Sequence, residues 1–397
     1  MSPGLDLAAL ERQVRPLLSA QRYEQAEALL RPLVASGTGP LAVWRWLASA
    51  LRPQGKIAET RAIQEMLVAH APGDYAARFD LSETLLLMGE FERGWREYRY
   101  RYSLAHTASI ERKVQRPRWN GQPIPGKTLL IHDEQGYGDT FQFLRMVPWA
   151  KAKSGARLVL EVTPEAMPLA RRMQGFDDIV ARGSLPPPFD MHCELMSLPM
   201  AMGLTLGDLP GEIPYLRPDA QRVEQWRKRL ADLPRPWVAL AWAGRPTHMN
   251  DANRSLALSQ LAPLADSGAA FVSIQKGPAE AQAAHPPGSM PLLTLGGEIR
   301  DFEDTAAILC LADLLVSVDS SPVHLAGALG VPVWVMLPFV PDWRWLLARE
   351  DSPWYPQARL FRQPARGDWG SVIDKIAGEL RGFVVSARKQ GRQNACA

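Results

Sequence analysis

The chain has 397 residues, 46% of them apolar and 22% charged, with 45 Lys and Arg against 42 Asp and Glu for a formal net charge of +3. That length and composition describe a globular chain of two or three folded units and exclude disorder as the reading of the whole. The near-balance of charge removes any electrostatic argument for nucleic acid as the main partner.

Cys193, Cys310 and Cys396 are odd in number, far apart and form no CxxC pair, so neither a disulfide framework nor a zinc site is expected. Cys193 and Cys310 lie in apolar runs and read as buried thiols. The first residues mix acids and bases among the leucines, unlike a secretory leader. No run approaches the ~20 apolar residues of a transmembrane helix. A cytoplasmic protein is the expectation.

Residues 1–108 show internal periodicity without strand-like alternation. Tyr23, Ile57 and Phe91 are spaced by 57 − 23 = 34 and 91 − 57 = 34, and each is followed three positions on by a small residue (Ala26, Thr60, Gly94). Gly55 and Gly89 mark turns between helices, while Gln21 stands in the matching place of the first unit. Leu47 and Leu81 also recur, with Trp44 on the second unit's first helix and Pro72 closing that unit. Thirty-four residues is the period of tetratricopeptide helical hairpins. Stacked hairpins of that kind present a concave surface for a protein or peptide.

After Trp119 the pattern becomes strands alternating with helices, the signature of parallel sheets covered on both faces. Residues 109–217 read as a first Rossmann-like lobe, with strands at 127–132 and 157–162, shorter ones at 176–180 and 189–193, and a helix at 166–173. Residues 218–236 read as a connector carrying a charged helix over 220–230. A second lobe over 237–369 has strands at 237–242, 270–275, 314–318 and 331–336. An amphipathic helix over 370–390 is expected to pack back on the first lobe. Two such lobes place a ligand cleft at the carboxyl ends of their strands.

Three segments at those ends carry polar chemistry. In Gly136-Tyr137-Gly138-Asp139 the glycines permit close approach of backbone to a ligand, and Asp139 reads either as a functional carboxylate or as a helix cap. A dinucleotide fingerprint needs a third small residue where Phe141 stands, although Glu161 ends the next strand where a ribose-binding acid would lie. In Asp319-Ser320-Ser321-Pro322-Val323-His324 a helix opens after an apolar strand, with Pro322 in its first turn, Ser321 able to cap and His324 beside the free amides. That set suits a diphosphate. The polar loop 242–255 supplies Arg254, whose guanidinium fork matches phosphate, and Lys276 is a second cation at a strand end.

The segments Glu134–Asp139, Asn253-Arg254-Ser255 and Asp319–His324 occur in the order seen in glycosyltransferase family 9, the heptosyltransferase-like group, which the chain resembles from about residue 75 to 380. Pro341–Trp345 and Ser352–Pro356 look like the branch of that group fused to tetratricopeptide repeats. The overall plan is also similar to repeat-bearing O-GlcNAc transferases. The resemblance implies a GT-B fold behind helical repeats and metal-independent, inverting sugar transfer from a nucleoside-diphosphate sugar. It makes Asp139 the general base, with Gly136, Gly138, Arg254, Lys276, Asp319, Ser320, Ser321 and His324 at the donor. It implies no resident cofactor, and an acceptor (protein, peptide or glycan) near the repeats. The first lobe is shorter than in heptosyltransferases, so heptose acceptance does not follow. Two other readings stay open: a non-catalytic interaction protein with a retained transferase-like domain, and an NAD(P)-dependent enzyme. Trp343, Trp345 and Trp354 read either as a sugar-stacking wall or as core.

Overall fold

The computed structural model describes residues 5–35, 37, 39–104 and 114–394, the side chains of 390–394 excepted. Cys396 and the expected boundary at 108/109 lie outside the described residues. By contacts the chain divides into two compact units: residues 1–111 with 203–206 and 339–347, and the remainder.

The first unit is a stack of three helical hairpins: α1 (Leu7–Ser19) with α2 (Tyr23–Val34), α3 (Leu41–Leu51) with α4 (Ile57–His70), and α5 (Tyr75–Leu87) with α6 (Phe91–Tyr98). Tyr23, Ile57 and Phe91 each begin the second helix of a hairpin, so the sequence period is the structural one. Their turns are equivalent too: Gln21, Gly55 and Gly89 have φ of 57°, 76° and 83°, so glutamine adopts the left-handed conformation that the two glycines adopt without strain. In the third hairpin the small residue is a steric requirement. A methyl group at Gly94 would lie 2.7 Å from Leu86 Cγ. Leu10, Val14, Leu30, Val43, Leu47 and Ile63 form the core between hairpins.

Part of the expected second lobe belongs to this helical unit instead. Residues 339–347 bring Trp343 edge-on to Trp95, ring centres 5.1 Å apart, on the third hairpin. Trp343, Trp345 and Trp354 are all buried, so they are core and not a sugar-stacking wall.

The second unit holds two parallel sheets. The first lobe runs β1 (Thr128–His132), α7 (Tyr137–Phe143), α8 (Val147–Ser154), β2 (Arg157–Val162), α9 (Met167–Ala170), β3 (Asp178–Ala181), β4 (Met191–Glu194) and α10 (Leu198–Met202). Its strand order is β3-β2-β1-β4. The helix expected over 166–173 is thus a single turn. After α11 (Ala220–Arg229), the second lobe runs β5 (Trp237–Ala241), α12 (Asp251–Arg254), β6 (Ala270–Ser273), β7 (Leu292–Thr294), α13 (Phe302–Leu311), β8 (Leu314–Val318), α14 (Ser321–Leu329), β9 (Val333–Leu337), β10 (Ala358–Arg362) and α15 (Trp369–Asn394). Its order is β10-β9-β8-β5-β6-β7. Every residue of β5, β8 and β9 is buried, the pattern of parallel strands covered by helices on both faces.

Three expectations need correction. The segment taken as a connector is part of the second lobe: Trp226 of α11 donates to Asp304 Oδ1 of α13 at 2.8 Å, and Arg222 pairs with the same carboxylate. α15 does not return its apolar face to the first lobe. Val372, Ile373, Ile376, Leu380 and Val384 join the second-lobe core around Val238, Leu261 and Phe271. That apolar face is complementary to the second-lobe sheet, and burial there satisfies its amphipathic pattern. Cys310, on the outer side of α13, is exposed, whereas Cys193 is buried.

Candidate functional site

In each sheet the order of strand addition reverses at a central strand, and loops at such a point open a crevice for ligands. β1 lies between β2 and β4, and β5 lies between β6 and β8. The turn after β1 carries Gly136, the loop after β5 carries Arg254, and the turn after β8 carries Asp319. Because β5 pairs directly with β8, the last two are neighbours.

α14 starts where Ser320 takes an extended conformation (φ −152°, ψ 173°) and Pro322 occupies the first turn. The cap is Ser320 and not Ser321, and its hydroxyl turns back to Val318 O at 3.2 Å instead of capping an amide. His324 is buried, with Nε2 3.9 Å from Asp319 Oδ1 and Nδ1 3.0 Å from the Tyr355 hydroxyl. Arg254 Nη1 donates to Asp319 O at 2.9 Å, and its Nε faces Asp251 Oδ1 at 3.3 Å. A methyl group at Gly244 would fall 2.6 Å from Arg254 Nη2, so this glycine makes room for the guanidinium.

On the first lobe, Gly136 is the N-cap of α7, and Asp139 Oδ2 accepts its backbone N–H at 2.9 Å. Asp139 therefore does cap its helix. Gly138 is in contact with α14: a methyl group there would lie 2.8 Å from His324 Cδ2 and 3.5 Å from Ser321 Cα. The glycine turn, Asp319, Ser321 and His324 thus meet across the lobes, and Arg254 joins them through Asp319. Lys276 does not. Its ammonium, half exposed, donates to Gly296 O at 2.5 Å and faces Glu280 at 3.5 Å.

Several polar residues at these strand ends were not singled out from sequence. Asp133 follows β1 and is buried, its Oδ2 accepting Thr163 N–H at 2.7 Å and the Thr140 hydroxyl at 3.3 Å. Burial pushes its carboxyl above the ordinary range, against the pull of those hydrogen bonds and of Arg182. Arg145, buried in an otherwise apolar stretch, donates to the carbonyls of Pro210, Trp354 and Gly211. A charged residue inside an apolar run was the available signal for it. Gln275 Oε1 accepts the N–H groups of Trp242 and Ala243, both at 2.9 Å, and fixes the start of the Arg254 loop.

His132, His192 and Glu194 form a buried cluster whose ligand atoms lie within 4.8 Å of one another. The two imidazoles face each other nearly in line: Nε2 and Nδ1 are 3.2 Å apart and the ring centres 5.4 Å. That is the arrangement of one ring donating to the other. Two rings chelating a cation would instead converge on a common point. Glu194 is held by Arg118 at 2.8 Å and Ser197 at 3.0 Å.

No protein-family model matches this chain. It is similar to FlbA of Caulobacter vibrioides, 28% identical over 348 residues, covering 80% of this chain and 57% of FlbA; the chain thus spans little more than half of that protein's length. Among solved structures it is similar to the Escherichia coli ADP-heptose lipopolysaccharide heptosyltransferase II (14% identity, 65% of this chain and 99% of that one, TM-score 0.49). A glycosyltransferase family 9 protein of Veillonella parvula is also similar (10% identity, 62% of this chain and 88% of that one, TM-score 0.45).

Proposed function

We infer that this protein is a glycosyltransferase that moves a sugar from a nucleoside-diphosphate sugar to a hydroxyl acceptor, with inversion and without a catalytic metal. The observation that carries the reading is the meeting of the α14 amino end, Arg254 and the Gly136–Asp139 turn at the carboxyl ends of two parallel sheets. Asp139 takes the proton of the acceptor hydroxyl. The acceptor oxygen bonds to the anomeric carbon as the bond to the diphosphate breaks. The departing diphosphate carries the negative charge, which the helix dipole of α14, the Ser320 and Ser321 region and Arg254 stabilise. Gly136 and Gly138 keep the first-lobe backbone close to the sugar. Lys276, directed elsewhere, acts only after a change of rotamer. The helical hairpins recruit the acceptor, a protein, peptide or glycan, and the reaction takes place in the cytoplasm.

The NAD(P) reading is disfavoured by Phe141, which stands where a dinucleotide fingerprint needs its third small residue and is fully buried. The non-catalytic reading has one observation in its favour, the capping bond that already occupies Asp139 Oδ2. A screen of nucleotide sugars, nucleoside diphosphates and NAD(P) for thermal stabilisation and donor hydrolysis separates the three. We expect a nucleoside diphosphate and its sugar to raise the melting temperature, and Arg254→Ala to weaken that binding by about tenfold or more, the scale of a charged hydrogen bond. Stabilisation by NAD(P) alone sinks the transferase reading, and binding without hydrolysis or transfer favours the interaction protein.

A further inference from the structure

Between α3, α4 and α5 the helical unit holds a cavity of about 230 Å³, with Arg45, Ser49, Arg52, Gln64, Asp80 and Glu83 on its walls. Its floor is apolar, made by the buried Ala48, Leu67 and Ala77. Ser49 and Asp80 are exposed, so the cavity opens to solvent on their side. Sites for drug-sized molecules run to ~300–1,000 Å³, so this one has room for a single side chain.

Three acceptors line it without a donor. The Ser49 hydroxyl gives its proton to Arg45 O at 3.0 Å, a carbonyl that only accepts, so the Ser49 oxygen has lone pairs to offer. Gln64 is 5% exposed and its Oε1 has no hydrogen-bond partner; a half-turn of the amide presents either of its ends to the cavity. One repeat earlier and one later (64 − 34 = 30 and 64 + 34 = 98) the chain has the buried Leu30 and Tyr98, so a carboxamide stands at a core position of the hairpins, where an unmade bond costs stability. The Asp80 carboxylate makes no hydrogen bond or ion pair among the described residues. The other charges are matched: Arg45 pairs with Asp74, and Arg52 faces Glu83 at 3.7 Å. The Nε groups of both arginines also lack partners, but they are covered and cannot turn outward without breaking those pairs. Desolvation in the cleft, and then the charge of Glu83, push the Asp80 carboxyl up to about 6, so the two arginines do not neutralise it.

We propose that this cavity seats a lysine side chain of a polypeptide partner, its methylenes on Ala48, Leu67 and Ala77 and its ammonium on Ser49, Gln64 and Asp80. An ammonium has three N–H donors and no acceptor, which matches three acceptors that lack donors. Its compact charge suits a narrow seat better than the planar fork of a guanidinium. The apolar floor takes the stem, and Asp80 supplies the opposite charge. The consequence for function rests on the reading that the hairpins recruit the acceptor: the acceptor, or a protein carrying it, then presents a lysine to the second and third hairpins.

Capped tripeptides, Ala-Lys-Ala and Ala-norleucine-Ala, titrated into the full chain and followed by ligand-observed NMR, test the seat. We expect the lysine peptide to bind at pH 8 and the norleucine peptide to bind about tenfold more weakly or less, the scale of a charged hydrogen bond. Lysine affinity should fall about tenfold from pH 8 to 5, where a carboxyl with a value about 6 is only about one-tenth ionised, and Asp80→Asn should remove that dependence. Gln64→Leu, which copies Leu30, should weaken the lysine peptide and raise the melting temperature, because a carboxamide with unmade bonds is removed from the core. A lysine peptide that binds no better than norleucine, or a lower melting temperature in Gln64→Leu, overturns the proposal. Butylamine is the probe for a free amine; butylamine binding without the lysine peptide overturns lysine as the occupant. None of these measurements uses a sugar donor, so failure of the seat leaves the transferase reading standing, and failure of sugar transfer leaves the seat standing.

Discussion

At the scale of single residues, Asp139 has a capping duty in the structure and a catalytic one only in the proposed function, and one substitution can separate them. Its Oδ2 caps α7 through Gly136, and the proposed chemistry asks the same carboxylate to take a proton. Asparagine keeps an oxygen for the cap and loses the basicity. We expect Asp139→Asn to keep nucleoside-diphosphate affinity within about twofold while transfer falls by about a hundredfold or more, the range of general-base catalysis. Asp139→Ala should in addition lose about 1 kcal/mol of stability through the cap. Unchanged turnover in the asparagine variant rules out this residue as the base. Gly138 makes a different point. A methyl group there has no room beside His324 Cδ2, so Gly138→Ala should lower both the melting temperature and diphosphate affinity by displacing the ring. Normal affinity, measured by calorimetry, would show that His324 does not need its present place.

At the scale of elements, the hairpins repeat more than their apolar positions. Glu27 binds Lys56, and Arg31 binds Glu59. One period on, the same positions carry Arg61 with Glu90 and Glu65 with Arg93, every charge inverted. Pairing α2 with the third hairpin would bring Glu27 to Glu90 and Arg31 to Arg93. The inversion therefore works against a slip by one repeat. Glu27→Lys should destabilise the helical unit by about 1–2 kcal/mol, since three donors converge on this little-exposed carboxylate. Adding Lys56→Glu should recover part of the loss; denaturant midpoints of the two variants check it. Gln21 is the exception among the turns, a side chain held at φ 57° where the other two hairpins have glycine. Gln21→Gly should stabilise the protein by about 0.5–1 kcal/mol, relief of left-handed strain outweighing the added freedom of the unfolded glycine. A lower melting temperature would count against strain at this turn.

At the scale of the whole molecule, the response to acid should be set in part by Asp304. Its side chain is fully buried, and hydrogen bonds from Arg300, Arg222 and Trp226 outweigh desolvation and hold its carboxyl well below the ordinary 3.8. A depressed folded value means the unfolded chain binds the proton first. The stabilisation is complete above about pH 5 and is lost as pH falls through 3.8 toward the folded value. Asp304→Asn should cost about 2–4 kcal/mol at pH 7 and reduce the loss of stability between pH 5 and 3. An unaltered acid slope would assign that loss to other carboxylates. Among the described residues no helix is long and apolar enough to cross a membrane.

The sequence by itself determined the repeats and the strand ends. A 34-residue interval is a local property of each hairpin, and the glycine turn, Arg254 loop and Asp319–His324 segment each follow an apolar run that reads as a buried strand. Tertiary structure decided which of these segments meet. Arg254 and Lys276 are both cations at strand ends, yet one reaches Asp319 because β5 pairs with β8, and the other follows β6 and turns to Gly296. No local pattern records strand order. The same holds for residues far apart in the chain: Trp343 belongs with the helical unit, α15 with the second-lobe core, and Tyr355 with His324. Such contacts depend on complementary surfaces that only the folded chain brings together, whereas helix and strand periodicity is written within a few neighbouring residues.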